Sequence, residues 1–100
     1  MALRTESDTG GVPPSLQAYL SDELVPRLAA QGFDCRIVPN PDPRGGPFLI
    51  ARREEDPALP TVLSYGHGDV VSGQEGQWRE GLDPWELRAE GDRLYGRGTA

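Results

Sequence analysis

The stretch TVLSYGHGDVV (Thr61–Val71) gives the main prediction of this sequence about fold and site. Its first five residues, Thr61–Tyr65, are mostly apolar and partly β-branched, a composition typical of a buried strand. His67 and Asp69 follow directly. Side chains two positions apart in an extended backbone point the same way, and ligand sites in α/β folds gather at strand ends. The sequence therefore predicts that His67 faces a cleft, with Asp69 beside it.

An amphipathic helix is predicted upstream of this strand. Apolar side chains recur there at three- and four-residue steps, which places them on one helix face. They are Leu16, Tyr19, Leu20, Leu24 and Leu28. Pro13, Pro14 and Ser15 mark the start of the helix, with Ser15 a candidate cap, and Gly32 marks its end. Pro26 is expected to kink or restart the helix, because proline lacks an amide hydrogen and crowds the preceding turn.

Two further strands complete the predicted fold. They are Cys35–Val38 and Phe48–Arg53, joined by the turn-rich loop Pro39–Gly46. Near the end of the chain, Gly91-Asp92 is a two-residue turn suited to a hairpin. The order of elements predicts an α/β fold, with an N-terminal helix on a mixed, largely parallel sheet and then an irregular arm with a hairpin.

Composition narrows the class of protein. The formal net charge is −6, and all ten basic residues are Arg. An acidic chain without a basic cluster is a poor candidate for binding nucleic acid or anionic membranes. Cys35 is the single cysteine, so neither an internal disulfide nor a cysteine-based zinc site is expected. The polar start, Met1–Gly11, has no secretory signal and no membrane span is predicted, so a cytoplasmic enzyme is expected.

His67 and Asp69 have the chemistry of a metal ligand and its supporting acid. A neutral imidazole binds zinc through one ring nitrogen, at about 2.0–2.1 Å. The other ring nitrogen needs an acceptor, and a carboxylate there fixes the tautomer. The pair alone is weak evidence for a metal site, since a His beside an Asp more often has a structural role. A serine hydrolase is less favoured, because Ser64 and Ser72 lie outside any Gly-x-Ser-x-Gly sequence. A serine hydrolase would lose its activity on Ser64→Ala, and chelators would not inhibit it.

Longer motifs extend this pair. They read His67-Gly-Asp69-Val70-Val71, then Trp78, then Asp83-Pro84-Trp85, and finally Asp92-Arg93-Leu94-Tyr95-Gly96-Arg97-Gly98-Thr99-Ala100. In order and spacing they resemble the N-terminal segment of a zinc metallopeptidase and deacylase family. That family includes acetylornithine deacetylase, succinyl-diaminopimelate desuccinylase, aminoacylase and glutamate carboxypeptidase. The resemblance covers about Pro14 to Ala100. Two loop positions depart from it: Ser72 replaces the usual Pro, and Trp85 replaces the usual Phe.

The resemblance implies a di-zinc hydrolase that cleaves an amide bond in small peptides or N-acyl amino acids. His67 would bind one zinc ion, and the catalytic-site residue Asp69 would orient His67. Cobalt or manganese suits similar ligands. Zinc would lower the pKa of a bound water to about 7, and a carboxylate from further along the chain would take its proton. In the family an Asp that bridges both metals follows the position of Ala100, and a homodimeric parent is compatible with the resemblance.

The resemblance also divides the chain. Residues 1–13 are expected to form a flexible N-terminal lead, and residues 14–100 the first part of a larger zinc peptidase catalytic domain, truncated before the bridging Asp. Alone, the chain is expected to bind zinc weakly and to be inactive. The alternative is a non-catalytic remnant that acts as a protein interaction module through exposed sheet edges. Trp78 and Trp85 are expected to cover the loop after His67, and Arg97 to form a structural salt bridge.

Overall fold

The computed structural model describes residues 3–7 and 11–99. The elements, in chain order, are α1 (Pro14–Ala18), a π-helical turn (Tyr19–Leu24), α2 (Val25–Ala29), β1 (Asp34–Val38), β2 (Phe48–Arg52), a 3-10 turn (Glu75–Gln77), β3 (Arg88–Glu90) and β4 (Arg93–Tyr95). Strands β1 and β2 pair antiparallel, and so do β3 and β4. None of the helices in this described part of the chain has the length and apolar character that a membrane crossing requires.

The predicted helix is confirmed, with a π-helical turn where the sequence predicts a kink. The amide of Val25 donates to the carbonyl of Leu20, five residues earlier. This wider turn precedes Pro26, whose ring would clash with a carbonyl one α-helical turn before it. The π turn therefore accommodates the proline without ending the helix. At the N-terminus, Pro13 occupies the cap position without a side-chain hydrogen bond. Ser15 is not the cap, because its hydroxyl donates to the carbonyl of Arg4.

The helix ends at the predicted glycine and turns back onto the first hairpin. Gly32 has a φ of +84°, which a residue with a side chain rarely adopts. The amide of Phe33 donates to the carbonyl of Leu28 at 3.1 Å, and that of Gly32 to the carbonyl of Ala29 at 2.9 Å. This pair of bonds is a Schellman motif, which satisfies carbonyls at the end of the helix. It directs the chain into β1, which packs against α2.

The hairpin of β1 and β2 has one partly covered face and one open face. Side chains alternate along both strands, as expected for a pleated sheet. The half-buried positions include Cys35, Ile37, Leu49 and Ala51, while Asp34, Arg36, Phe48, Ile50 and Arg52 are exposed. The register places Ile37 opposite Leu49 on the covered face and Arg36 opposite Ile50 on the open face. Two large apolar side chains of β2 thus remain in contact with solvent.

The predicted largely parallel sheet does not form within residues 3–7 and 11–99. Both sheets there are two-stranded and antiparallel, and the one parallel contact is a single bridge between Glu6 and Val70. Chain length between the strands explains this result. A parallel crossover needs a dozen or more residues, and the links 39–47 and 53–60 are shorter than that. Successive strands in this region can therefore meet only as antiparallel neighbours.

The prediction of a buried strand at Thr61–Tyr65 is wrong for this chain. The segment has no strand partner within the described residues. The exposed fractions of Val62, Leu63 and Tyr65 are 88%, 95% and 88%. A strand needs neighbouring backbone for its amide and carbonyl groups. The β1–β2 hairpin forms locally and leaves this segment without such a neighbour.

The chain does not close a core of its own. Its radius of gyration is 16.4 Å, whereas about 13 Å is typical of a compact domain of this length. Its accessible surface is 8068 Å², against about 5,600 Å² for a folded monomer of similar mass. Trp85 is the one buried hydrophobic side chain in the described residues. The helix, the β1–β2 hairpin and the arm, which is the irregular segment 66–99 that contains β3 and β4, therefore share little interior.

The described part of the N-terminal region lies against the arm. The predicted lead, residues 1–13, falls partly outside the described residues. Within it, the carbonyl of Thr5 accepts from the amide of Val70 at 2.9 Å, and the amide of Ser7 donates to the carbonyl of Val70 at 3.1 Å. Thr5 is buried, with 4% of its surface exposed. The division of the chain at residue 13 stays a prediction.

Leu63→Ser and Trp85→Ala are expected to have very different effects on stability. Leu63 is exposed, so its substitution should change the free energy of unfolding by less than about 0.5 kcal/mol. Trp85 is buried, so its loss should cost about 3 kcal/mol. Urea denaturation followed by far-ultraviolet circular dichroism measures both. A loss above 1 kcal/mol in Leu63→Ser would mean that Thr61–Tyr65 is packed, contrary to this fold.

A candidate metal-ligand pair and its supporting loop

His67 and Asp69 lie on the same side of the backbone and are in contact. The His67 Nδ1 atom is 3.1 Å from the main-chain oxygen of Asp69 and 3.1 Å from its Oδ1 atom. A main-chain carbonyl only accepts hydrogen bonds, so Nδ1 must be the donor. The neutral ring then carries its proton on Nδ1 and a lone pair on Nε2. The pair thus has the arrangement that metal-binding histidines adopt. The roles assigned to His67 and Asp69 stay predictions.

The cleft expected around His67 is not formed. The side chains of His67 and Asp69 are 68% and 42% exposed. Thr61–Tyr65 has no strand partner within the described residues, so no neighbouring strand there forms a wall of a cleft. His67 therefore lies on an open surface, with its Nδ1 atom bonded to Asp69.

Gly68 lies between the two site residues and is in contact with Tyr19 of the helical region. A Cβ atom added there would lie 2.1 Å from Cε1 of Tyr19 and 2.6 Å from its Cδ1. The Tyr19 ring thus packs directly on the backbone between His67 and Asp69. A Cβ atom at Gly66, by contrast, would meet no atom within 4 Å. The sequence places Tyr19 on the apolar helix face, but nothing in the pattern identifies Gly68 as its contact.

The loop after Asp69 is fixed at Gly73. The Gly73 amide donates to Oε1 of Glu6 at 2.9 Å. Its carbonyl accepts from the Trp78 indole at 2.7 Å and from Arg97 Nη2 at 3.3 Å. The Arg97 guanidinium also stacks over the Trp78 ring at 5.4 Å. Within the described residues Arg97 contacts the loop through stacking and a carbonyl, and the expected salt bridge does not form.

Trp85 closes the other side of this loop. A Cβ atom at Gly73 would lie 2.7 Å from Cζ2 of Trp85, so only glycine fits there without a shift. The Trp85 indole donates to Oε1 of Glu75 at 2.8 Å, and the Arg4 guanidinium lies 5.1 Å from its ring centroid. Trp85 is buried and Trp78 is partly buried. Both tryptophans therefore cover the loop, as the sequence predicts.

The hydrogen bond from Trp85 holds the pKa of Glu75 below its ordinary value. Smaller contributions come from the amide of Glu75 and from the positive charges of Arg4 and Arg97, while desolvation acts in the opposite direction. Oε1 of Glu75 lies 3.8 Å from Nη1 of Arg4. Glu75 thus joins the N-terminal region to the arm through a charge that the sequence alone did not identify.

A complete metal site is not formed by the described residues. Residues 3–7 and 11–99 contain no group of three or more His, Cys, Asp or Glu side chains placed to hold a metal ion. Catalytic zinc sites usually have three protein ligands and a water. His67 supplies at most one of these ligands.

The chain carries a segment homologous to a family of hydrolases that includes deacylases and a dipeptidase. Succinyl-diaminopimelate desuccinylase from Dinoroseobacter shibae is 40% identical over 77 residues, 76% of this chain. Acetylornithine deacetylase from Photorhabdus laumondii is 38% identical over 69 residues, 69% of this chain. Mouse Beta-Ala-His dipeptidase is 43% identical over 54 residues, 53% of this chain. The family resemblance that the motifs predict is confirmed.

These alignments cover only a small part of each relative. The shares are 19% of the desuccinylase, 17% of the deacetylase and 11% of the dipeptidase. The chain thus spans about a fifth or less of the length of the curated relatives it matches. No protein-family model and no solved structure matches the chain.

Gly68→Ala and Gly66→Ala form a matched pair beside His67. In Gly68→Ala the new methyl group overlaps the Tyr19 ring, so the ring should move and the free energy of unfolding should fall by about 1 kcal/mol or more. Gly66→Ala meets open space and should stay within about 0.5 kcal/mol of the parent. Urea denaturation and the ring-proton shifts of Tyr19 report these changes. Equal effects of the two substitutions would contradict the Tyr19–Gly68 contact.

The ionised Glu75 carboxylate should make the stability of the arm depend on pH in the acid range. Its pKa in the folded chain lies below the ordinary value of 4.5. The contribution of ionised Glu75 to the stability of the arm is therefore complete above that value and is lost as the pH falls through the lowered pKa. Protonation should weaken the Trp85 contact and shift tryptophan emission. Glu75→Gln should remove this step, whereas Glu80→Gln, at an exposed position, should keep it. An unchanged acid step in Glu75→Gln would show that another group controls it.

Proposed function

We propose that this chain is the N-terminal part of a di-zinc amide hydrolase, in which His67 is a metal ligand and Asp69 orients it. The observation that carries the proposal is the 3.1 Å contact of His67 Nδ1 with Asp69. That contact leaves the Nε2 lone pair available for a cation. Homology to a desuccinylase and a deacetylase supports the same reaction class.

The proposed substrates are small peptides or N-acyl amino acids. The names of the relatives support this class, since they describe removal of a succinyl or acetyl group and cleavage of a dipeptide. These reactions have in common the hydrolysis of an amide bond next to a small amino-acid unit. The proposed location is the cytoplasm, as the sequence predicts. Cobalt and manganese remain alternatives to zinc, because similar ligands bind all three.

We also propose that the open surfaces of this chain are covered in a longer catalytic domain with a largely parallel sheet. Support comes from the exposed apolar side chains of Thr61–Tyr65 and of β2. Contiguous apolar surface of this kind usually marks an interaction site. The small share of each relative that the chain spans points the same way. In such a domain, strands beside Thr61–Tyr65 would supply the missing wall opposite His67.

The proposal is tested in two parts, first with the isolated chain. Calorimetric titration with zinc should show weak binding that is lost in His67→Ala, because the described residues supply one imidazole and no ligand cluster. No hydrolysis of N-acetyl or N-succinyl amino acids is expected. Tight binding at one or two sites in the isolated chain would contradict this part.

The second part places the segment in a complete enzyme. The 77 matched residues replace their counterparts in the Dinoroseobacter shibae desuccinylase, and desuccinylation is measured after a thermal melt has shown folding. The chimera should be active, His67→Ala should abolish activity, and Asp69→Asn should reduce activity or metal affinity by about 10- to 100-fold. Ser64→Ala is the matched control and should change little. A chimera that responds to Ser64→Ala and not to His67→Ala would favour a serine hydrolase.

A second candidate function is a protein interaction module, favoured by the exposure of Val62, Leu63 and Tyr65. This segment is uncharged and has no strand partner within the described residues, and exposed backbone of this kind can add to the sheet edge of a partner. The chimera separates the two functions. A folded chimera without metal-dependent activity would favour the interaction module over the hydrolase.

A further inference from the structure

A short N-terminal segment is held against the backbone that follows the metal-ligand pair. This segment, Leu3–Ser7, is here named the N-terminal strap. Its Thr5 carbonyl accepts from the Val70 amide at 2.9 Å, and its Ser7 amide donates to the Val70 carbonyl at 3.1 Å. Both polar groups of the Val70 backbone are thus bonded to the strap. Val70 is the residue directly after Asp69.

Further groups of the strap contact three other parts of the chain. The Glu6 carboxylate accepts from the Gly73 amide at 2.9 Å. The Arg4 guanidinium stacks on Trp85, with 5.1 Å to the ring centroid. The Arg4 carbonyl accepts from the Ser15 hydroxyl at the start of α1. The strap therefore joins the helix, the loop after Asp69 and the aromatic cover of that loop.

One peptide group links the strap to the imidazole. The amide hydrogen of Val70 and the carbonyl of Asp69 belong to the same peptide unit, which is planar and rigid. Thr5 binds the amide side of this unit, and His67 Nδ1 binds the carbonyl side at 3.1 Å. Rotation of the unit would break both bonds together. The orientation of the acceptor for His67 is therefore set by the strap.

We infer that the N-terminal strap is a positioning element for the His67–Asp69 pair, and that Glu6 is its main side-chain anchor. The inference rests on the proposed function of that pair as a metal ligand and its support. The strap holds the Asp69–Val70 peptide so that the His67 proton stays on Nδ1. Glu6 fixes the loop three residues further on, so that the peptide cannot drift with it.

The test compares four variants of the full chain at one fixed pH. They are deletion of residues 1–7, Glu6→Ala, Glu6→Gln, and Glu54→Ala as a control. Glu54 is exposed and pairs with Arg52 on the first hairpin, away from the strap. The readouts are amide hydrogen exchange at Val70 and Gly73 and the ring ¹⁵N shifts of His67, which report its tautomer. None of these readouts requires metal or substrate.

Deletion should speed exchange at Val70 by about tenfold or more, because its acceptor is removed. The same deletion should spread His67 over both neutral tautomers. Glu6→Ala should speed exchange at Gly73 by a similar factor. Glu6→Gln should keep the Gly73 amide protected, because the side-chain amide oxygen still accepts its hydrogen bond. Glu54→Ala should match the unmodified chain. If the deletion unfolds the arm, Glu6→Ala and Glu6→Gln still decide the role of the anchor.

Two outcomes would overturn the inference. One is a folded deletion variant with parental Val70 protection and an unchanged His67 tautomer. The other is Glu6→Ala with parental Gly73 exchange and parental His67 shifts. An inactive chimera with an intact strap response would reject the proposed hydrolase and leave the strap contact standing, so the two failures are distinguishable.

Discussion

The peptide group between Asp69 and Val70 is where the separate parts of this chain meet. Its carbonyl accepts a hydrogen bond from His67 Nδ1, and its amide donates to the carbonyl of Thr5. The Tyr19 ring packs one residue earlier, on Gly68, and brings the helix to the same point. A chain with so little interior depends on such fixed backbone contacts, because hydrophobic burial alone does not hold its parts together. Without this junction His67 Nδ1 would keep only the Asp69 carboxylate as its acceptor.

Local patterns in the sequence predicted the elements whose determinants are local. The apolar spacing predicted the helix, Gly32 predicted its end, and Gly91-Asp92 predicted the second hairpin. In each case the signal lies within a few residues of the structure that it specifies. Even Pro26 acted as predicted, although the chain absorbs it with a π turn instead of a break. The contact of Asp69 with His67 also follows from local geometry, since the two are only two positions apart.

The features that the sequence did not predict depend on residues far apart in the chain. Thr61–Tyr65 has the composition of a buried strand, but burial requires neighbouring strands that the described residues do not supply. The contact of Glu6 with Gly73 joins positions 67 residues apart, and neither residue belongs to a periodic pattern. Gly68 and Gly73 are restricted by side chains of Tyr19 and Trp85 that approach from other elements. Composition alone could not have shown which partner each glycine meets.

The exposed segment Thr61–Tyr65 also gives proteases an accessible stretch of backbone. Exposed, unpaired backbone is the preferred substrate of proteases, because little structure has to open before it enters the enzyme. Large apolar side chains such as Leu63 and Tyr65 would add a ready specificity determinant. A single cut there would divide the molecule into a helix-hairpin half and a half that contains the imidazole and its supports. Cleavage there would not require the contacts elsewhere in the isolated chain to open first.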